Sequence, residues 1–341
     1  MALFGSKSIL GVDLGTAGIK IAELSNSGDR FDLKNYGIID FLAKEGSSPK
    51  LSDDILIAGL KDLIARTRPS TKDAVASISS FLTFTTVIEM PYLSAKDLEK
   101  AIPFEARKYI PIPLSDVVLD WSIINVGGQS NQTPNVEVFL AAVPKNEAER
   151  YKNIFTSAGL NIKALELENI AIIRALLGDD KSPLAIINLG GRSTSILVVD
   201  KGFERVSRNY ELGGFEITKA LAVSLGISFE RAEEIKRKDG LKGNQAFNQA
   251  ISPLIDMIVF EVRKTIANYE ENKMVKIGKV ILIGGQSQMP GIKDYFAQKL
   301  GKDILIGDPL KRISYNKVLE ETLKNAGPSL SVALGLAMRK I

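Results

Sequence analysis

Two distant stretches of this 341-residue chain are built to one plan. Residues 9–24 read as an apolar strand carrying Asp13, a turn around Gly15, and a second apolar strand. Residues 185–199 repeat the pattern, with Asn188 and Gly190 in the matching places. A strand–turn–strand that recurs in this way points to two related lobes facing one another, each offering a tight backbone turn to something held between them. Successive N–H groups in such a turn suit an anion, and the obvious occupant is a polyphosphate.

Composition narrows the chemistry. Hydrophobic residues make up 45% and charged residues 25%, an ordinary globular balance in a chain long enough for two or more domains. The net charge of +4 is spread among acidic residues, so neither a nucleic-acid footprint nor a polybasic membrane patch is expected. There is no cysteine and no histidine, which removes disulfides, thiol nucleophiles, zinc-finger sites and imidazole acid–base chemistry. Any catalysis rests on carboxylates, lysines, hydroxyls, backbone dipoles or an added metal. The first residues carry no signal-peptide core and no apolar run reaches the length of a membrane span. The expectation is a cytoplasmic protein with no direct membrane insertion, reaching a membrane only through a partner.

The spacing of apolar residues gives a third strand over 30–40 and a helix in which Ile55, Leu56, Leu60, Leu63 and Ile64 share a stripe, with a return to strand over 74–79. From Phe84 the texture changes to strand, helix, strand, strand, helix, with Pro111 and Pro113 stopping the first helix, a Gly/Asn/Gln-rich loop at 127–135, and a last helix ending at Gly159. This reads as a small α+β module inserted into the first lobe. In the second lobe a helix is expected over 216–224, a charged helix over 228–238, and a long helix starting at Ser252 and Pro253. Its stripe is Ile255, Ile258, Val262, Ile266 and Tyr269. Residues 280–283 form a buried strand delivering Gly284 and Gly285, and a closing helix starts at Pro328.

The segment from Asp13 to Lys20 resembles the first phosphate loop of the actin-like ATPases. Gly15 lets the backbone approach phosphate oxygens, Thr16 adds a hydroxyl, and Asp13 can hold a hydrated Mg²⁺ through water. The resemblance also places Ala17 in the loop and Lys20 on phosphate. A Rossmann or Walker loop fails, because a strand rather than a helix follows the glycines. Asn188, Gly190 and Gly191 look like the second phosphate loop, with Asn where the family normally has Asp. That change removes a negative charge from beside the metal. Arg192 either compensates at phosphate or faces solvent. Gly213 and Gly214 resemble the paired glycines near the phosphate tail. Glu233 and Lys236 match the Ala-Glu-x-x-Lys element that contacts ribose and base, or form a solvated i,i+3 ion pair. Gly284, Gly285 and Ser287 resemble the adenosine loop, where missing side chains admit the adenine ring. The cofactor implied is ATP or ADP with Mg²⁺, at most weakly hydrolysed; no catalytic residue stands out.

Residues 89–91, 101–113 and 136–145, with the opening Leu3-Phe4-Gly5, resemble the PilM family of type IV pilus assembly proteins. Glu105, Tyr109 and Pro111 are the most distinctive of these residues, and Tyr109 is expected to pack under the module. The resemblance implies a two-lobed α/β actin-like ATPase fold with ribonuclease-H-like lobes. The first lobe takes residues 1–83 and 161–183 around an SHS2-type module at 84–160. The second takes 184–327, with a helical nucleotide-binding subdomain at about 226–275, and 328–341 closes the first lobe. It also implies a partner, the cytoplasmic N-terminal peptide of a PilN-like inner-membrane protein, bound in a groove between first lobe and module, and contact with other pilus motor components. Three alternatives stand beside it. An FtsA-like division protein would carry a terminal amphipathic membrane helix. A small-molecule kinase would need a positioned carboxylate base. A chaperone would need a peptide-binding domain after the nucleotide domain.

Overall fold

The computed structural model describes residues 7–27, 30–41, 51–127 and 134–341. Leu3–Gly5 and most of the loop expected at 127–135 lie outside them. The chain opens with β1 (Lys7–Leu14), β2 (Gly18–Ser27), β3 (Arg30–Asp40), α1 (Asp53–Thr67) and β4 (Asp73–Ile78). The module contributes β5 (Phe84–Pro91), α2 (Ala95–Ala106), β6 (Val117–Gly127) and β7 (Asn135–Pro144), followed by α3 (Lys145–Ser157), β8 (Asn161–Leu167) and α4 (Glu168–Leu177). The second lobe runs through β9 (Leu184–Leu189), β10 (Thr194–Asp200), β11 (Phe203–Tyr210), α5 (Gly214–Leu225), α6 (Phe229–Lys238) and α7 (Gln245–Lys273). It continues with β12 (Lys279–Ile283), α8 (Ile292–Leu300) and β13 (Asp303–Ile306); β14 (Ile313–Ser314) returns to the first lobe's sheet beside β3, and α9 (Glu320–Ala337) ends the regular structure.

The duplication extends beyond the two turns. One sheet is ordered β14-β3-β2-β1-β4-β8 and the other β11-β10-β9-β12-β13, so that, β14 aside, each lobe repeats one strand order. Asp13 pairs with Lys20 across the first hairpin and Asn188 with Ser195 across the second. Each turn closes alike, Gly15 N–H donating to Gly18 O and Gly190 N–H to Ser193 O, both at 2.9 Å.

Period-two alternation sends the two faces of each sheet to different cores. Leu10, Val12 and Leu14 of β1 pack with α1 and α3, while Ile9 turns the other way. Ala185, Ile187 and Leu189 of β9 pack with α5, α7 and α8, while Leu184 and Ile186 turn the other way. The inward faces share one core with Ala171 and Ile172 of α4 and Val332 and Leu336 of α9, so these two helices join the lobes. Close approach requires glycine here. A Cβ on Gly11 would lie 1.9 Å from Ala333 O, and one on Gly335 1.9 Å from Ala171 O.

Two helices begin earlier than proline suggested. Asn244 caps α7 by accepting from Phe247 N–H at 3.0 Å, which puts Pro253 inside the helix. The helix α9 starts at Glu320 and carries Pro328 internally. A proline ring strips the carbonyl four residues back of its partner. Those residues, Gln249 and Lys324, are exposed to water in both cases, and the early turns bury Ile251 and Leu323. Burial outweighs the proline signal.

In the module, β5-β7-β6 form an antiparallel sheet. One face packs on α2 through Leu98, Ile102 and Ala106; the other rests on the first lobe through Ile124, Phe139 and Leu167. Of the segment 84–160, α3 belongs to a different core, burying Tyr151, Ile154 and Phe155 with Leu56 and Leu60 of the first lobe. Tyr109 does not pack under the module. The chain leaves α2 in a turn closed by Ile110 N–H to Ala106 O at 3.0 Å, which buries Ile110 and leaves Tyr109 exposed.

Module, first lobe and second lobe meet at a buried polar junction. Glu204 of β11 accepts from Thr85 Oγ1 of β5 at 2.7 Å and from Asn169 Nδ2 of α4 at 2.9 Å, and Asn169 also donates to Ser207 Oγ at 3.1 Å. Asn169 Oδ1 is buried with no partner among the described residues. Burial pushes the Glu204 carboxyl above its ordinary value, against the two hydrogen bonds that lower it. An acid whose pKa is raised by folding favours the folded state below the ordinary glutamate range, and that contribution is lost as pH rises through the raised value. Glu204→Gln removes the charge at constant size, and its amide can donate to the orphaned Asn169 oxygen. The expected result is a higher melting temperature than wild type at pH 8, with the gap closing toward pH 4. A variant that melts lower at pH 8 would refute this account.

Candidate functional site

A cleft of about 610 Å³ opens between the lobes at the turn ends of the two hairpins. Every residue expected on a ligand lines it except Gly213 and Ser287. Asp13 ends β1 almost fully buried, accepts from Ser77 Oγ at 3.0 Å, and lies 3.7 Å from Lys20 Nζ on the facing strand. The tips of the two turns touch. Arg192 N–H points to Thr16 Oγ1 at 3.4 Å, and a Cβ on Gly191 would fall 2.2 Å from the Ala17 methyl. The N–H groups of Thr16, Ala17 and Gly191 have no acceptor among the described residues. Arg192 lays its guanidinium 4.2 Å from the centre of the Phe215 ring, a cation–π contact.

The paired glycines build the second turn from beneath. A Cβ on Gly213 would meet Ser193 N at 2.7 Å. The first N–H groups of α5, on Gly214 and Phe215, donate to Gly190 O at 3.0 Å and Gly191 O at 2.7 Å, and Gly213 N–H donates to Glu216 at 2.9 Å. These amides hold the turn's carbonyls, while the positive end of the α5 dipole faces the cleft.

Glu233 and Lys236 form an ion pair of 2.7 Å, and it is buried rather than solvated. Lys236 Nζ also donates to Gly214 O at 3.0 Å and Thr218 Oγ1 at 2.8 Å, which pins α6 to the start of α5. Burial lowers the Lys236 pKa, and the Glu233 carboxylate only partly opposes this. For Glu233, burial alone would raise the pKa, but Lys236, Thr218 and Arg237 together bring it below the ordinary value. Arg237 bridges onward, 2.7 Å from Glu233 and 3.6 Å from Asp40 of the first lobe, across the cleft.

On the opposite wall, Gly284 adopts φ 85°, a left-handed conformation that favours glycine. A side chain there would strike Leu189 O at 2.4 Å and Asn188 Oδ1 at 2.6 Å. Gly284 N–H donates to Pro328 O of α9 at 3.0 Å. Ser287 turns inward, its hydroxyl donating to Gly284 O at 2.7 Å, so it shapes the loop from behind.

Sequence reasoning missed Glu168. It opens α4 directly after β8, lines the cleft, and accepts from Ser80 N–H at 2.8 Å and Ser80 Oγ at 2.6 Å. Burial raises its pKa and the charge of Asp13 adds to the rise, against the Ser80 bonds. The one available signal, a glutamate between an apolar strand and a helix, is shared by any helix start where a carboxylate meets the dipole. The site therefore combines unpartnered N–H groups with Lys20, Lys236, Asp13, Asp40, Glu168 and Glu233 around a space of ligand size. Lys236→Met should cost about 1–3 kcal/mol in urea unfolding, because Gly214 O and Thr218 lose a buried donor while Glu233 keeps Arg237. Arg237→Ala, at a largely exposed side chain, should cost about 0–1 kcal/mol. Equal losses for the two would show that Lys236 is not the pin.

The family profile described as type IV pilus assembly protein PilM matches residues 11–341. A solved PilM-PilN type IV pilus biogenesis complex superposes with a TM-score of 0.84 at 24% identity, covering 98% of this chain and 99% of that one. MreB 5 of Spiroplasma citri, solved bound to AMPPNP, superposes with a TM-score of 0.52 at 12% identity, covering 97% and 95%. Cell division protein FtsA of Bacillus subtilis is 29% identical over 178 residues, 45% of this chain and 40% of that protein. The chain spans less than half the length of the curated relatives it matches first. The fold is that of the actin-like ATPases, and the relation to FtsA is distant. With a profile running from residue 11 to residue 341, the chain belongs to the PilM family of type IV pilus assembly proteins.

Proposed function

We propose that the chain is the cytoplasmic nucleotide-binding component of a type IV pilus machine. It binds the cytoplasmic N-terminal peptide of a PilN-like inner-membrane protein and ties motor components to the inner-membrane alignment complex. The observation that carries the nucleotide half is the pair of touching turns whose Thr16, Ala17 and Gly191 N–H groups have no acceptor among the described residues, beside a cleft of about 610 Å³. Unpaired amides converging from two lobes suit the tail of ATP or ADP. Gly284 and Gly285 present backbone on the far wall, where a base could lie, and the fold is shared with a protein solved with AMPPNP.

The donor set also fits Mg²⁺. Among the described residues no group of three or more carboxylates could hold a metal by itself. Mg²⁺ is usually held by one or two carboxylates with retained waters and phosphate oxygens. Asp13, through water, and Glu168 are the residues that would hold it, and the ion would neutralise phosphate charge. Asn188 adds an oxygen without charge. Burial raises the Glu168 carboxyl above its ordinary value, so it holds a proton more readily than a solvated glutamate would.

For the partner, support comes from family membership and from the likeness to a chain solved in a PilM-PilN complex. Among the described residues no strand pairs with the outer edge of β6, which exposes Val118, Ile123 and Val126, and such an edge can take an extended peptide as an added strand. Among the described residues no helix is long and apolar enough to cross a membrane, in keeping with attachment through a partner.

Calorimetric titration with ATP and ADP in the presence of Mg²⁺ tests the cleft. Binding is expected for the wild type, with a loss of about tenfold or more for Asp13→Ala and for Gly191→Val. The valine would drive Ala17 away; a charge-assisted contact of this kind is worth about 1.5–3 kcal/mol. Unchanged affinity in both variants, each checked for an intact melting transition, would overturn the assignment. A pull-down from the host's membranes tests the partner: a bitopic pilus protein is expected, and a tubulin-like division protein would overturn it.

A further inference from the structure

The junction at the root of the module connects the cleft to the surface proposed for the partner. Ser80, just before β5, holds Glu168 with both its N–H and its hydroxyl, and its Oγ lies 3.0 Å from Asn209 Oδ1 on β11. The residue after Glu168 is Asn169, which donates to Glu204 of β11, and Glu204 accepts from Thr85 of β5. Ser80, Asn169 and Glu204 are all buried. One carboxylate of the cleft is thus two hydrogen bonds from the second lobe's edge strand and, through Asn169 and Glu204, from the first strand of the module.

The module is attached to its two neighbours by different forces. Against the first lobe it has an apolar seam of Ile124, Phe139 and Leu167. Against the second lobe it has polar contacts: Thr85 to Glu204 in the buried junction, and Arg205 to Glu137 at 2.9 Å and Lys273 to Glu89 at 3.3 Å around a crevice of about 470 Å³. An apolar seam keeps its partners together because separation exposes the surface to water, whereas polar contacts can be exchanged for water at small net cost when the faces part. When the lobes turn against each other, the module travels with the first and parts from the second. Coupling between distant sites requires two such arrangements.

We propose that this junction couples nucleotide in the cleft to the orientation of the module, Ser80 and Asn169 relaying from the Glu168 end and the Thr85–Glu204 bond fixing β5 to β11. The inference rests on the nucleotide reading of the cleft. Ligand in the cleft pulls on Glu168 and sets the angle between the lobes. The Thr85–Glu204 bond is kept at one angle and exchanged for water at the other. By linkage, whatever fixes the module must alter nucleotide affinity by the same factor.

Amide hydrogen exchange on the full chain tests this, with and without saturating AMPPNP and Mg²⁺, in wild type, Thr85→Val, Thr85→Ser and Asn209→Ala. In wild type the nucleotide should change exchange in β5 and β6 by about fivefold or more, the lower end of ordinary coupling. Thr85→Val, which keeps the shape and loses the hydroxyl, should bind nucleotide within about threefold of wild type and lose most of the β5 response. Thr85→Ser should retain that response. Asn209→Ala cuts the relay from the other lobe and serves if the valine variant fails to fold; it should weaken the response likewise. A full-sized response in both cut variants would overturn the coupling, as would wild-type binding that leaves the module unchanged. A wild type that takes up no nucleotide would sink the cleft reading and the coupling with it.

Discussion

The contact on which the rest depends is backbone against backbone between α4 and α9. Gly335 has no side chain because Ala171 O lies where its Cβ would be, and Gly11 admits Ala333 O to β1 in the same way. At this separation the two helices fill the space between two sheets with Ala171, Ile172, Val332 and Leu336. Arg174 fixes the register by donating to Gly335 O at 2.7 Å and to Glu166 at 2.5 Å, and Arg339 reaches the other Glu166 oxygen at 2.6 Å. Glu166 is almost fully buried, so either arginine's loss leaves a charge poorly compensated. The meeting of Ala17 with Gly191 at the far end of the strands follows from this spacing. The sheets set how far apart the hairpins stand, and glycine at 191 lets them touch.

That geometry explains the distribution of charge in the cleft. Asp13 and Glu168 sit on the first lobe's side with Lys20, and the second lobe offers Asn188, an unpartnered Gly191 amide and the positive end of α5. The first side can hold a hydrated cation and the second an anion. Asn188 keeps the second side from becoming a third carboxylate beside two whose charges already repel: Asp13 contributes to the raised pKa of Glu168. An aspartate there would push that carboxyl up further.

Much of this was legible in the chain because the turns obey strict local rules. Asp13 and Asn188, Gly15 and Gly190 align in sequence and occupy the same register in space. The stripe from Ile255 to Tyr269 is buried along its whole length. What was not legible depended on burial that sequence patterns do not encode. Pro253 and Pro328 read as helix starts, yet tertiary packing carries both helices past them wherever the orphaned carbonyl faces water. Tyr109 looked like a core residue, but a single turn after α2 exchanged it for Ile110. Glu233 and Lys236 looked like a surface pair or a pair of ligand contacts. They line the cleft and also pin two helices together, since Thr218 and Gly214 lie within reach only after α5 and α6 have packed.

Glu168 and Glu204 show most clearly why local reading stops short. Each is an unremarkable glutamate in sequence, one at a helix start and one near a strand end. Folding strips both of water, and each finds hydroxyl and amide donors where a cation would ordinarily compensate buried charge. A pair of uncompensated carboxyls costs stability near neutral pH, and a fold selected for stability alone would replace them with amides or apolar groups. Their positions supply the reason for keeping them. One faces the cleft, the other fastens the module, and Asn169, the sequence neighbour of the first, donates to the second. A hydrogen bond to a carboxyl that is neither fully solvated nor firmly paired is easily exchanged when the surrounding pieces move. An apolar plug at the same place would lock module and lobes into a single body.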